Sequence, residues 1–158
     1  MNLERVKQLI ADRKIDTIDL KYADLICNWY HISFPARRLD HVMTHGIPFD
    51  GSSIPGMKSV DSGDMVLIPD PETAVIDPFS DLPRLRMLSF ICDAESRRGV
   101  NKDPRTVAKR AHAHMIDSGV ADNSMWTPEF EFYLFNEAVI DNGKYSAGYQ
   151  FTSAENKD

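Results

Sequence analysis

Thr17-Ile18-Asp19-Leu20-Lys21-Tyr22, followed a few residues later by Asn28-Trp29-Tyr30-His31-Ile32-Ser33-Phe34, is the stretch from which the fold is read. Ile18, Leu20 and Tyr22 alternate with Thr17, Asp19 and Lys21, the period of two that belongs to a strand with one face inward. That puts Asp19 and Lys21 on the outer face. The second segment is rich in aromatic and β-branched residues, and a short turn around Ala23-Asp24 joins the two. Together they predict an antiparallel hairpin.

The rest of the domain extends from the hairpin in both directions. On the N-terminal side, Asn2 caps a helix carrying Leu3, Val6, Leu9 and Ile10 on one face, ended by Asp12-Arg13-Lys14. On the other side, Pro35 opens a short helix from Ala36 to His45, closed by Gly46. The segment after Gly46 reads as neither helix nor strand. Further strands are expected at Met65 to Ile68, Thr73 to Ile76 and Arg86 to Cys92, with Pro-rich turns and Leu82-Pro83 between them. Short strands and helices without a βαβ rhythm indicate an α+β fold rather than a doubly wound sheet.

Residues 1 to about 95 read as one compact unit, and the polar Glu95-Ser96-Arg97-Arg98-Gly99 closes it. The boundary is placed there, dividing the chain into 1–99 and 100–158. Asp103-Pro104 then signals a cap and first turn for a helix from Arg105 to Ser118, ended by Gly119. Trp126 to Phe135 is the most strand-like segment of the sequence. Asp141-Asn142-Gly143-Lys144 is a hairpin-type turn, and the chain beyond it is polar.

Composition narrows the function. With 42% hydrophobic and 27% charged residues in 158, the chain is globular rather than disordered. A net charge of −6 argues against a nucleic-acid partner. No apolar run approaches membrane-spanning length and the charged N-terminus does not read as a signal peptide, so a cytoplasmic protein is expected. Cys27 and Cys92 lie far apart in apolar surroundings and are expected to be reduced core thiols.

Two stretches carry candidate chemistry. In Phe49-Asp50-Gly51-Ser52-Ser53-Ile54-Pro55-Gly56-Met57, two glycines and a proline impose an irregular path, and apolar residues flank a polar tip. Asp50 is either a presented carboxylate, with Ser52 and Ser53 beside it, or the cap of its own Asx-type turn. In Pro128-Glu129-Phe130-Glu131-Phe132-Tyr133-Leu134-Phe135, strand alternation would put Glu129 and Glu131 on one face, their Cα atoms about 6.6–6.8 Å apart. Paired carboxylates suit one or two hard cations, Mg²⁺ or Mn²⁺; the alternative is a solvated strand face. His41 and His45 are spaced i, i+4 on a predicted helix but lack a third ligand, and read as surface residues. His31, His112 and His114 carry no catalytic pattern.

Four blocks together resemble the N-terminal portion of class I glutamine synthetases: Ile18 to Asp24, Phe49 to Ile54, Ser62 to Asp70 continuing to Asp77-Pro78-Phe79, and Pro128 to Phe135. Their order and spacing fit from near the start to about Glu137. The resemblance implies a β-grasp domain up to about residue 100, followed by the first helix and strands of an α+β catalytic domain. It implies an ATP-dependent ligase that joins ammonia to glutamate through γ-glutamyl phosphate, assembled as a homo-oligomeric ring with active sites between subunits. Asp50 would bind ammonium and take its proton, with Ser53 supporting that end of the site; Glu129 and Glu131 would each hold one divalent cation. Pro55 and Met57 depart from the common pattern. The remaining metal, nucleotide and glutamate ligands would lie beyond Asp158, so the chain alone is expected not to catalyse. The alternative is a truncated, non-catalytic β-grasp interaction module that associates with full-length glutamine synthetase.

Overall fold

The computed structural model describes residues 2–80, 86–96 and 101–155. Two compact units are present, 1–122 and 123–158. The expected boundary at 99/100 and the Leu82-Pro83 connection lie outside the described residues.

The first unit opens with helix α1 (Leu3–Arg13), whose Asn2 side chain accepts from the Arg5 amide at 2.9 Å and whose Lys14 closes it in the left-handed region. Val6 on its inner face is fully buried. Strands β1 (Thr17–Ala23) and β2 (Trp29–Pro35) form the predicted antiparallel hairpin, in register from Thr17↔Pro35 to Ala23↔Trp29. The connection differs from a simple turn. It wraps around the buried Asp24 carboxylate, which accepts from the Ile26 and Asn28 amides, Asn28 Nδ2 and Tyr30 Oη at 2.9–3.1 Å. Cys27, held there at φ 66°, is exposed, so only Cys92 is the expected core thiol. Backbone geometry around one carboxylate outweighs the apolar character of its neighbours.

A 3₁₀ turn (Ala36–Arg38) leads into α2 (Leu39–His45), and Gly46 ends it. Strands β3 (Ile47–Asp50), β4 (Asp64–Pro69), β5 (Val75–Ile76) and β6 (Met87–Ser96) complete a sheet of order β2-β1-β6-β4-β3, with β5 also on β6. β1 runs parallel to β6, while β3, β4 and β5 pair antiparallel. Against the expectation of an irregular path after Gly46, Ile47–Asp50 is an edge strand, where Pro48 costs no ladder hydrogen bond. Ile18, Leu20, Leu67, Leu88 and Phe90 form the core with Val6, Leu39 and Val42 of the helices.

Asp19 corrects the period-two reading. Its side chain lies on the face opposite Ile18 and Leu20 yet is 1% exposed. Ser33 Oγ donates to its Oδ1 at 2.6 Å and His31 Nδ1 sits 2.8 Å from the same atom. Lys21 Nζ, 4.0 Å from Asp19 Oδ2, reaches Asp77 at 3.2 Å. A carboxylate can be buried on an outer face when neighbouring strands supply its donors.

Helix α3 (Pro104–Asp117), capped by Asp103, belongs to the first unit and has no buried residue. Polar contacts hold it: Arg105 pairs with Asp70 and donates to the Ile91 carbonyl, and Lys109 pairs with Asp93 at 2.5 Å. The second unit contains the hairpin β7 (Glu137–Asn142) and β8 (Ala147–Thr152), turning at the expected site. The expected strand at Trp126–Phe135 does not form. A strand exists through backbone hydrogen bonds to a neighbour, and none of the described strands pairs with this segment.

Candidate functional site

The Asp50 loop is built from its two ends inward. β3 carries the chain to Asp50, opposite Asp64 on β4, and the Gly51 amide donates to the Gly63 carbonyl at 2.7 Å. One 3₁₀ turn, Gly51–Ser53, comes next. Ile54 and Met57 then plunge into the core at 5% and 2% exposure, while Phe49 packs against Tyr22 with ring centroids 5.1 Å apart. The polar tip between these anchors is fixed.

Asp50 caps its own turn and is also presented to solvent, so the two readings of this residue coincide. Its Oδ1 accepts from the Ser52 amide at 2.9 Å and from Ser52 Oγ at 2.7 Å, and its Oδ2 accepts from Ser53 Oγ at 3.1 Å. The Ser52 hydroxyl, the Ser52 amide and the Ser53 hydroxyl hold the carboxyl below the usual aspartate range. Ser52, which sequence reasoning placed beside the site without a role, contributes two of these three contacts. Gly63, within the Ser62 to Asp70 block, had no role in the sequence reading. A Cβ there would lie 2.5 Å from Asp50 Oδ1, so the bare backbone at 63 makes room for the carboxylate. The Gly-Asp pair ahead of β4 was the only signal, and it reads as an ordinary turn.

Glu129 and Glu131 lie in the irregular segment of the second unit, both exposed, and no described contact brings them together. Carboxylate oxygens suit a hard dication in kind. Among the described residues, however, no group of three or more His, Cys, Asp or Glu side chains could hold a metal ion. The pair therefore fits such an ion in donor chemistry but supplies only part of a coordination shell.

A helix packed on one face of a mixed five-strand path, with a capped loop at its edge, defines a β-grasp domain. The family model described as "Glutamine synthetase, beta-Grasp domain" matches residues 14–94. The glutamine synthetase of Methylococcus capsulatus is 39% identical over 156 residues, covering 98% of this chain and 33% of that protein. That of Vibrio cholerae is 38% identical over 156 residues, with the same coverage of 98% and 33%. The solved glutamine synthetase of Plasmodium falciparum superposes with a TM-score of 0.69 at 18% identity, covering 96% of this chain and 30% of that one, which supports the fold alone. This chain belongs to the glutamine synthetase family. It spans about a third of the length of the curated relatives it matches. Among the described residues, no helix is long and apolar enough to cross a membrane.

Proposed function

We propose that this chain supplies the N-terminal part of a glutamine synthetase, a cytoplasmic homo-oligomeric ligase that joins ammonia to glutamate at the expense of ATP. Residues 1–99 act as its β-grasp domain and 100–158 as the opening of its catalytic domain. The observation that carries this reading is the Asp50 loop: an exposed carboxylate, fixed by three hydrogen bonds, on the sheet that the family model matches.

Three donors aimed at Asp50 favour its ionised form, so at neutral pH it offers a fixed negative charge to an ammonium ion. The same donors make it a weak base. It therefore holds ammonium more readily than it deprotonates it; one N–H proton must pass to the carboxylate before the nitrogen has a lone pair, and the ammonia so formed attacks the acyl carbon as phosphate leaves, the attached nitrogen then giving up a second proton. Ser53 keeps Oδ2 oriented while Ser52 occupies Oδ1. Glu129 and Glu131 would hold Mg²⁺ or Mn²⁺. When bound, such a cation supplies neutralising charge for phosphoryl oxygens.

The test is a chimaera in which this chain replaces the matching third of the Methylococcus capsulatus relative, assayed for ATP- and ammonium-dependent glutamine formation. Asp50→Ala removes one charge-assisted contact and should raise the KM for ammonium by about 10–100-fold, leaving the KM for ATP unchanged. An Asp50→Ala chimaera with an unaltered ammonium KM would refute the assignment. A folded chimaera inactive in every version would favour the interaction-module reading.

A further inference from the structure

The two oxygens of the Asp50 carboxylate are held differently by the loop. Oδ1 is turned inward, where the Ser52 amide at 2.9 Å and Ser52 Oγ at 2.7 Å both donate to it. Ser52 is half-buried, and Gly63 beside the same oxygen is buried. Among the described residues, Oδ2 accepts from Ser53 Oγ alone, at 3.1 Å, and Ser53 is exposed. A carboxylate oxygen offers two lone-pair directions. Both directions of Oδ1 are taken; Oδ2 keeps one.

The backbone of Gly63, at φ −67° and ψ −19°, suits any residue, so conformation does not call for glycine there. Room does: a Cβ would stand 2.5 Å from Asp50 Oδ1 and 3.3 Å from Ser52 Cβ. We propose that Ser52 and Gly63 are positioning residues that lock Oδ1 into the loop, so that the ammonium ion is met by Oδ2 alone, through one lone pair. The inference rests on Asp50 being the ammonium carboxylate. The proton released by ammonium then lands on Oδ2, leaving ammonia and a neutral carboxyl group, while Oδ1 keeps both Ser52 contacts. The lock also makes an amide a poor stand-in. In Asp50→Asn the carbonyl oxygen takes the place of Oδ1, where two donors meet it, and Nδ2 takes the place of Oδ2 and aims its N–H groups at the cation.

Titration of the Asp50 carboxyl carbon by NMR, in the chain itself, tests the lock without any substrate. Ser52→Ala removes the strongest of the contacts that hold this carboxyl below the usual aspartate range. Its titration should move to higher pH, and further than in Ser53→Ala. Gly63→Ala should move it the same way by pushing the carboxylate off Ser52, with circular dichroism unchanged. Asp64 stands opposite Asp50 in the β3–β4 register and is common to every variant, so it does not bias the comparison. Absent shifts, or equal ones for Ser52→Ala and Ser53→Ala, overturn the lock whatever Asp50 binds. In the Methylococcus capsulatus chimaera, Asp50→Asn should raise the KM for ammonium at least as far as Asp50→Ala. An Asp50→Asn chimaera binding ammonium about 10-fold more tightly than Asp50→Ala would put an oxygen at the contact and overturn the Oδ2 assignment. If neither variant alters that KM, the ammonium reading falls and this inference with it, whereas the titration in the chain still reports on the lock alone.

Discussion

Gly46 sits where α2 hands over to β3 and the Asp50 loop, and replacing it by alanine tests how that junction is held. Its backbone is at φ 69° and ψ −171°, a region that only glycine occupies without strain. An added Cβ would lie 2.4 Å from Val66 Cγ1 and 2.5 Å from the Leu67 carbonyl oxygen. The conformation costs an alanine about 1–3 kcal/mol. Forcing a methyl group against β4 adds about 1–3 kcal/mol more, as in an overpacked core. The stiffer unfolded chain returns about 0.4–1 kcal/mol. Gly46→Ala should therefore destabilise the first unit by about 1–6 kcal/mol, centred near 3, a large share of the roughly 5–15 kcal/mol that holds a domain. Gly119 supplies the control within the same unit: its φ is also 69°, but nothing lies within 4 Å of the added Cβ. Gly119→Ala should cost about 1 kcal/mol or less, the left-handed penalty reduced by the unfolded-state gain. Urea unfolding at 25 °C followed by far-UV circular dichroism separates the two cases. Equal losses for both variants would refute this reasoning, because steric contact with β4 would then contribute nothing.

Two further predictions concern the charges that hold the first unit. Burial pushes Asp24 up, but hydrogen bonds from Asn28, Ile26 and Tyr30 outweigh it and hold the carboxyl below 3.8. A lowered folded-state value contributes stability that is fully present above pH 3.8 and is lost as the pH falls through the folded value. The urea midpoint should thus decline on acidification below that point. Asp24→Asn should lower the midpoint at pH 7 and flatten the acid decline; an unchanged acid slope would exclude Asp24 as a contributor. Arg105→Ala removes the links from α3 to Asp70 and the Ile91 carbonyl and should cost about 1–2 kcal/mol. Since α3 buries no residue, its amides should lose hydrogen-exchange protection while those of β1 and β6 keep theirs. Uniform loss across the unit would show that the helix is held by something else.

Contiguous residues alone carry the hairpin, the capped first helix, the α+β class and the glutamine synthetase resemblance, because each rests on local periodicity, caps or a short run of sequence. The Asp50 turn was legible for the same reason: Asp50 and Ser53 stand three apart on it, and the contact between them is local. Other features depend on residues distant in the chain and emerge only in the folded domain. Gly63 lies beneath Asp50 because β3 and β4 pair. Asp19 is buried because Ser33 and His31 reach it from β2, which a period-two count along β1 cannot register. Trp126–Phe135 shows the reverse case. Its alternation and aromatic content are strongly strand-like, yet no described strand pairs with it, and a strand is stabilised by its neighbour rather than by its own sequence.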